Sequence, residues 1–318
     1  MSELPPEAQV WNLLRGALGT KALGIVADLG VADALSDGPR PVEDVARQTG
    51  ADADTLNRLL RALATDGIFA EVDPGVFRNT EASETLRREG WRDFAHLFGG
   101  VWYQAVAALE GTTGEETFAR TFGADFWAWL AAHPEERASF DRAMVEGKER
   151  RVERLARLEW RDGETVVDVG GGNGSLLIEL FRRRPGLRGI VFDLPETNRD
   201  EAALARESIE FAAGSFFEGV PGGDTYILGT VLHDWDDKRA ATILRTIGEG
   251  APAGARVLIL DAVLQHGDDP HGAKWLDLLM LVIAGGRERT EAEWRALVEG
   301  AGLRVDAVED ALVQASCP

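Results

Sequence analysis

Two groups of residues in the second half of the chain have types and spacings suited to chemistry. The first is Glu164–Leu177, ETVVDVGGGNGSLL, where a β-branched run passes through Asp168 into Gly170, Gly171, Gly172 and Gly174 and then into an apolar helix. Glycine lets the main chain turn sharply and approach a ligand with no Cβ in between. The helix start that follows offers unpaired N–H groups and a partial positive charge. Dinucleotide sites, including those of nicotinamide oxidoreductases, use such a turn as well. Two details separate this one. Asp168 gives the loop its own negative charge, which suits the sulfonium and ammonium of S-adenosylmethionine better than a pyrophosphate. Gly170, Gly172 and Gly174 run as GxGxG, with Ser175 where a dinucleotide fingerprint wants glycine or alanine. Asp193 ends the next β-branched run (GIVFDLP), with Leu194 after it, and lies about twenty residues past the loop, where a carboxylate accepts from ribose hydroxyls. Past a further run, Gly214-Ser215-Phe216-Phe217 offers an aromatic ring to stack on adenine and the Ser215 hydroxyl to bond its edge; either Phe also fits a core.

The second group is Thr225–Asp237, TYILGTVLHDWDD. A β-branched run points its carboxyl end at the same crevice, and His233 follows in a tight turn or helix start. A phenolic oxygen is a weak nucleophile until it loses its proton, and histidine, with an ordinary pKa of about 6.5, can take that proton near neutral pH. The base needs a partner on its other ring nitrogen, and Asp234 and Glu288 (in GGRERT) are the candidates. A metal held by His233 with Asp234, Asp236 and Asp237 is the competing use. Adjacent residues point in different directions, however, and a run of aspartates suits a solvated helix start, so no metal is expected.

These groups need elements to hold them. Up to about Trp160 the chain shows helical periodicity, in Val10–Leu18, Lys21–Leu29, Val42–Gln48, Asp54–Asp66 and Glu135–Leu158. Beyond it, short β-branched runs at Thr165–Val169, Arg188–Phe192, Ile209–Ala212, Thr225–Leu228 and Arg256–Leu260 alternate with helices, which implies a parallel, doubly wound α/β sheet. The domain boundary is placed near Glu159–Gly163, giving 1–160 and 161–318. After a helix over Thr290–Gly300, the runs Leu303–Val308 and Ala311–Gln314, separated by Glu309-Asp310, suit an antiparallel hairpin at the sheet edge. In the first half, two short helices followed by a hairpin around Asp73-Pro74-Gly75 read as a winged helix. Its second helix carries too little positive charge for a DNA groove, so a dimerisation role is favoured.

Composition narrows the classes further. The 318 residues carry a formal net charge of -20, which disfavours nucleic acid and anionic membrane partners. A single cysteine, Cys317, permits no internal disulfide. The start, MSELPPEAQVWNLL, lacks the basic and apolar pattern of a signal peptide, and no stretch approaches the roughly 20 apolar residues of a membrane span, so a cytoplasmic protein is expected.

With VVDVGGGNGSLL, VFDLPET, GSFFEGVP, YILGTVLHDWDD, LDLLML and AGGRERTEAEWRALVEGAGL in this order, the chain resembles the class I O-methyltransferases that act on plant phenolics, acetylserotonin and bacterial polyketides. The resemblance spans nearly the whole chain. It implies a Rossmann-like catalytic domain behind a winged-helix dimerisation domain, homodimers that interlock through that domain, and S-adenosylmethionine as cofactor. It implies cofactor contacts from Gly170, Gly172, Asp193 and Phe216, with Asp168, Leu194 and Ser215 beside them. It further implies His233 as general base oriented by Glu288, and an acceptor pocket drawing on Trp102, Phe126, Trp127, Phe140, Met144, Trp275, Asp277 and Met280. The family often has aspartate where Ser215 stands, which alters the expected adenine contact, and plant members often have lysine where Gly229 stands. Some relatives bind the cofactor yet hydroxylate or decarboxylate, so that activity is the alternative to methyl transfer. The aromatic residues between Trp102 and Trp129 suit a flat, largely apolar acceptor bearing a hydroxyl.

Overall fold

The computed structural model describes residues 5–110, 117–195, 197, 199–309 and 311–318. The opening residues 1–4, Glu196 of VFDLPET and the hairpin residue Asp310 lie outside them. The chain divides into two compact units, Met1–Ala107 with His133–Glu146, and Ala108–Ala132 with Gly147–Pro318. The turn at Glu159–Gly163, where the sequence changes character, lies within the second.

In the first unit, the two apolar stretches read at 10–18 and 21–29 form one continuous helix, Pro6–Asp28, because nothing in the intervening Gly19-Thr20 ends it. Only its C-terminal half is buried, and Val10, Trp11, Leu13, Leu14 and Leu18 stand exposed. Helix Val42–Thr49 ends at Gly50, and Asp52 caps helix Ala53–Thr65 by accepting the Thr55 N–H. Strands Phe69–Asp73 and Val76–Asn79 then pair antiparallel, and Arg40-Pro41 adds a short third strand. Leu35, Leu56, Leu60, Phe69 and Phe77 form the core beneath them. The periodic stretch Glu135–Leu158 is two helices, Pro134–Met144 and Lys148–Ala156. Gly147 between them takes a φ of 74°, where the left-handed backbone ends one helix before the next begins.

The second unit is built on a seven-stranded sheet, whose strands are numbered here β1 (Thr165–Val169), β2 (Arg188–Asp193), β3 (Ile209–Ala213), β4 (Thr225–Gly229), β5 (Arg256–Leu260), β6 (Arg304–Glu309) and β7 (Leu312–Ser316). Their spatial order is β3-β2-β1-β4-β5-β7-β6. The first five are parallel, and the antiparallel β6–β7 hairpin joins β5 through β7. The strand order reverses between the parallel β1 and β4, so both deliver their carboxyl ends to one crevice. Alternate residues serve opposite faces. Val167, Tyr226, Leu228, Val257 and Ile259 pack against Ile243, Leu244, Ile247 and Trp294. Val166, Ile227, Leu258 and Leu260 pack against Leu155, Leu177, Leu180 and Phe181. A two-residue parallel ladder, Val263–Leu264 against Arg289–Thr290, returns the chain to the β5 exit after helix Gly272–Ile283. No helix among the described residues is long and apolar enough to cross a membrane.

Candidate active site

The carboxyl ends of β1, β2, β4 and β5 carry most of the groups singled out in the sequence. β1 delivers Asp168 to the glycine loop, and the loop turns back on β2: Gly170 donates its N–H to the Phe192 carbonyl at 2.8 Å. There is no room for larger residues here. A Cβ on Gly171 would lie 2.7 Å from the Asp168 carboxyl, and one on Gly170 would lie 2.9 Å from Val231 and 3.7 Å from the Phe216 ring. Gly172, by contrast, opens on free space. Its N–H binds Asp193 Oδ2 at 2.8 Å, while Asp193 Oδ1 accepts from the Leu194 N–H and the Thr197 hydroxyl.

Asp168 is buried, and its Oδ2 has no hydrogen-bond partner. Burial, reinforced by the charge of Asp193, pushes this carboxyl up to about 7 against the pull of the Arg151 guanidinium. Arg151, from helix Lys148–Ala156, is itself lowered by burial and reaches Thr230 Oγ1 at 3.4 Å. A cationic ligand laid beside Asp168 would restore its charge, so an orphaned acid next to an open glycine cradle fits a sulfonium cofactor with an amino-acid tail. Phe216 is half-buried, edge-on to Phe217 (4.9 Å) and Trp235 (6.0 Å). Ser215 turns its hydroxyl to its own turn, accepting the Phe217 N–H at 3.3 Å.

His233 sits on the short 3-10 turn Leu232–Asp234, after Thr230, whose φ of 56° bends the chain away from β4. Its ring is buried. Nδ1 meets Glu288 Oε1 at 2.7 Å, and Nε2 lies 3.5 Å from Asp234 Oδ1. Burial alone would lower its pKa, but Asp234, Asp261 and Glu288 outweigh burial and hold His233 up at about 10. Burial pushes Asp234 up to about 7 and Asp261 up to about 6, with the neighbouring carboxylates adding to both and His233 opposing. Glu288 Oε2 is buried without a partner.

Asp261 and Arg151 were not singled out in the sequence. Asp261 interrupts the apolar run LILDAVL one residue after β5, and an acid at the carboxyl end of a parallel strand is the signal that marks it. Arg151 stands among many arginines on a charged helix, and no local signal sets it apart. Asp277 Oδ1 accepts the Glu288 N–H at 2.8 Å. Met280 is buried on the same helix, which packs against Thr117–Phe122. Phe126 and Trp127 meet edge-on at 5.1 Å beside Phe118, Phe122 and Trp129, an aromatic cluster of the second unit. Trp102 and Met144 belong to the first unit, where Trp102 is buried edge-on to Phe98 at 5.0 Å.

The sequence model of the O-methyltransferase domain matches residues 102–304, and that of the O-methyltransferase dimerisation domain matches residues 11–89. This chain belongs to the O-methyltransferase family. It is 36% identical over 318 residues to the phenazine O-methyltransferase of Lysobacter antibioticus, covering 96% of this chain and 93% of that one. It is 37% identical to the O-demethylpuromycin-O-methyltransferase of Streptomyces alboniger, covering 95% and 85%. Among solved structures, it is similar to an O-methyltransferase from neocarzinostatin biosynthesis in complex with S-adenosyl-L-homocysteine and 1,4-dihydroxy-2-naphthoic acid. That likeness has a TM-score of 0.81 at 34% identity and covers 94% and 96% of the two chains. The chain is therefore an S-adenosylmethionine-dependent O-methyltransferase.

Proposed function

We propose that this enzyme methylates a phenolic hydroxyl on a small, flat aromatic natural product, with His233 accepting the proton. The observation that carries the reading is the buried imidazole held at 2.7 Å by Glu288 and flanked by Asp234 and Asp261. The bound cofactor supplies an electrophilic methyl group, and this chain's residues do the rest. Asp193, held in place by the Gly172 N–H, would meet the ribose end, Phe216 would meet the adenine, and Asp168 with Arg151 would meet the charged tail. The aromatic cluster around Phe126 and Trp127 supports a planar acceptor. A phenol loses its proton near pH 10, and the carboxylates bring His233 to about the same value. The raised value makes the imidazole a stronger proton acceptor for a phenol than an ordinary histidine is. The relatives named above are methyltransferases, which favours methyl transfer over hydroxylation or decarboxylation.

The same reading makes the protein a cytoplasmic homodimer. The apolar face of Pro6–Asp28 is exposed within a region matched by the dimerisation-domain model, and a second copy of this chain is the partner that covers it. The helix–turn–helix and hairpin of the first unit support a winged-helix origin for that domain.

The test is titration with S-adenosylmethionine, S-adenosylhomocysteine and NAD, followed by turnover of phenolic acceptors with labelled methyl donor. Binding of the two sulfur ligands and an O-methyl product support the proposal. His233→Ala should then lower the rate by roughly 10²–10⁴-fold, the scale of a lost general base. Full turnover in that variant would remove His233 from the mechanism.

A further inference from the structure

We infer that Arg289 is the positioning residue of the proton acceptor: its buried guanidinium holds the Leu232–Trp235 turn, and with it His233, against the carboxylates. The inference rests on the reading of His233 given above. Arg289 is 0% exposed, a location where a charge is costly unless its donors are satisfied. Nη1 donates to the Leu232 carbonyl at 3.1 Å and the Arg287 carbonyl at 3.3 Å, Nη2 to the Trp235 carbonyl at 2.9 Å, and Nε to Asp237 Oδ1 at 2.9 Å. The Leu232 and Trp235 carbonyls bracket His233 in the chain, so one planar fork fixes both sides of the turn that carries the imidazole. The guanidinium also lies 5.0 Å from the ring of the buried Trp294, whose indole N–H binds the Ala262 carbonyl beside Asp261.

Two further features show that the turn is clamped and not merely touched. Glu288, which bonds the imidazole, directly precedes Arg289, so both grips come from one short segment fixed by its ladder to Val263–Leu264. On the opposite side, the Arg287 N–H donates to the His233 carbonyl at 2.9 Å. A Cβ on Gly286 would lie 2.5 Å from the Asp234 carbonyl carbon and collide with the His233 carbonyl oxygen. The 3-10 turn therefore has no slack. A lysine cannot replace the fork, because a single ammonium on a flexible stem cannot serve the Leu232 and Trp235 carbonyls and Asp237 together in this geometry.

The experiment compares Arg289→Lys, Arg289→Ala with and without added guanidinium, and Asp237→Asn in the full-length enzyme. Asp237 is largely exposed, so its variant loosens Nε without opening the core. Three readouts are taken: kcat on a phenolic acceptor, affinity for S-adenosylhomocysteine, and the pH titration of the His233 imidazole by NMR. The charges facing that imidazole are Asp234, Asp261 and Glu288, with Arg289 the nearby cation. Arg289→Lys should retain S-adenosylhomocysteine binding and lose kcat by about 10²-fold, the scale of a 1 Å misplacement. Its imidazole should titrate below the wild-type value as it drifts from its carboxylates. Asp237→Asn should move both readouts in the same direction by less, and guanidinium should restore part of the activity of the Ala variant. Wild-type kcat and imidazole titration in Arg289→Lys would overturn the inference. So would a parallel loss of activity and ligand affinity with an unmoved titration, which would make Arg289 a support of the fold alone. If Arg289→Ala and Arg289→Lys do not fold, Asp237→Asn decides by the same criteria. Should His233→Ala keep full turnover, the base reading fails, and the imidazole titration still judges the clamp by itself.

Discussion

Gly172 donates its main-chain N–H to Asp193 Oδ2 across 2.8 Å, tying the glycine loop after β1 to the acid that ends β2. The carboxylate is thus fixed before any ligand arrives, with its other oxygen satisfied by the Leu194 N–H and Thr197. Asp193→Asn would face an amide group toward N–H donors and remove the charge proposed to accept ribose hydroxyls. A charged hydrogen bond is worth about 1.5–3 kcal/mol, so affinity for S-adenosylmethionine should drop by roughly 10- to 150-fold. Calorimetric titration measures it, and unchanged affinity would remove Asp193 from the cofactor site.

The pH profile follows from His233. In the proposed mechanism its neutral form accepts the proton, and that form is scarce below about 10. With an acceptor whose own pKa is near 10, kcat/KM should climb about tenfold per pH unit through neutrality and level off toward pH 10. An acceptor of lower pKa should reach its plateau earlier, near that lower value. Asp261→Asn removes one of the charges that raise His233, so its acid limb should move to lower pH. A profile that breaks near pH 6.5 in the wild type would show that the carboxylates do not raise the imidazole.

A second histidine tests stability instead of rate. His96 joins three segments of the first unit, with Nδ1 2.8 Å from Asp28 and Nε2 3.2 Å from Glu136. The hydrogen bond and charge of Asp28, with Glu136 adding, raise it to about 9 against the effect of burial. Its folded pKa lies above the ordinary 6.5, so the stabilisation is complete below pH 6.5 and fades as pH rises through 9. The site is part-exposed, and the contribution should stay within about 1 kcal/mol. His96→Asn should therefore melt a few degrees lower at pH 6.5, on the order of 1–4 °C, and close to wild type above pH 9.5. A melting gap that does not narrow with pH would rule out the ion pairs as its source.

The exposed face of Pro6–Asp28 gives a test of assembly. Leu14 is 68% exposed and Leu18 is 73% exposed in the isolated chain. Sedimentation should return about twice the 34.5 kDa chain mass, and Leu14→Glu with Leu18→Glu should shift the protein toward the monomer, since a buried unpaired carboxylate is costly. A wild-type monomer at working concentration would overturn the dimer reading.

Much of the catalytic half was legible because its signals are local. A β-branched run, an acid, glycines and an apolar helix lie within fourteen residues of sequence from Glu164 to Leu177. His233 and Glu288 stand out by their neighbours. Asp261, Arg151 and Arg289 act only through contacts that strand pairing and helix packing create, and nothing beside them in sequence announces the partner. The helical periodicity read over 135–158 hides one break, because apolar spacing runs on through Gly147 while the left-handed backbone there ends the helix.

The short ladder between Val263–Leu264 and Arg289–Thr290 has a wider meaning. Everything from residue 265 to residue 288 leaves the sheet and comes back to almost the same point, carrying the helix with Asp277 and Met280 and ending on the residue that grips the histidine. The excursion behaves as a loop with two staples, the ladder at its ends and the bond from the Glu288 N–H to Asp277 within it. Substitutions on its helix that spare Asp277 therefore leave the grip on the histidine in place, whereas a change at Asp277 is felt there directly.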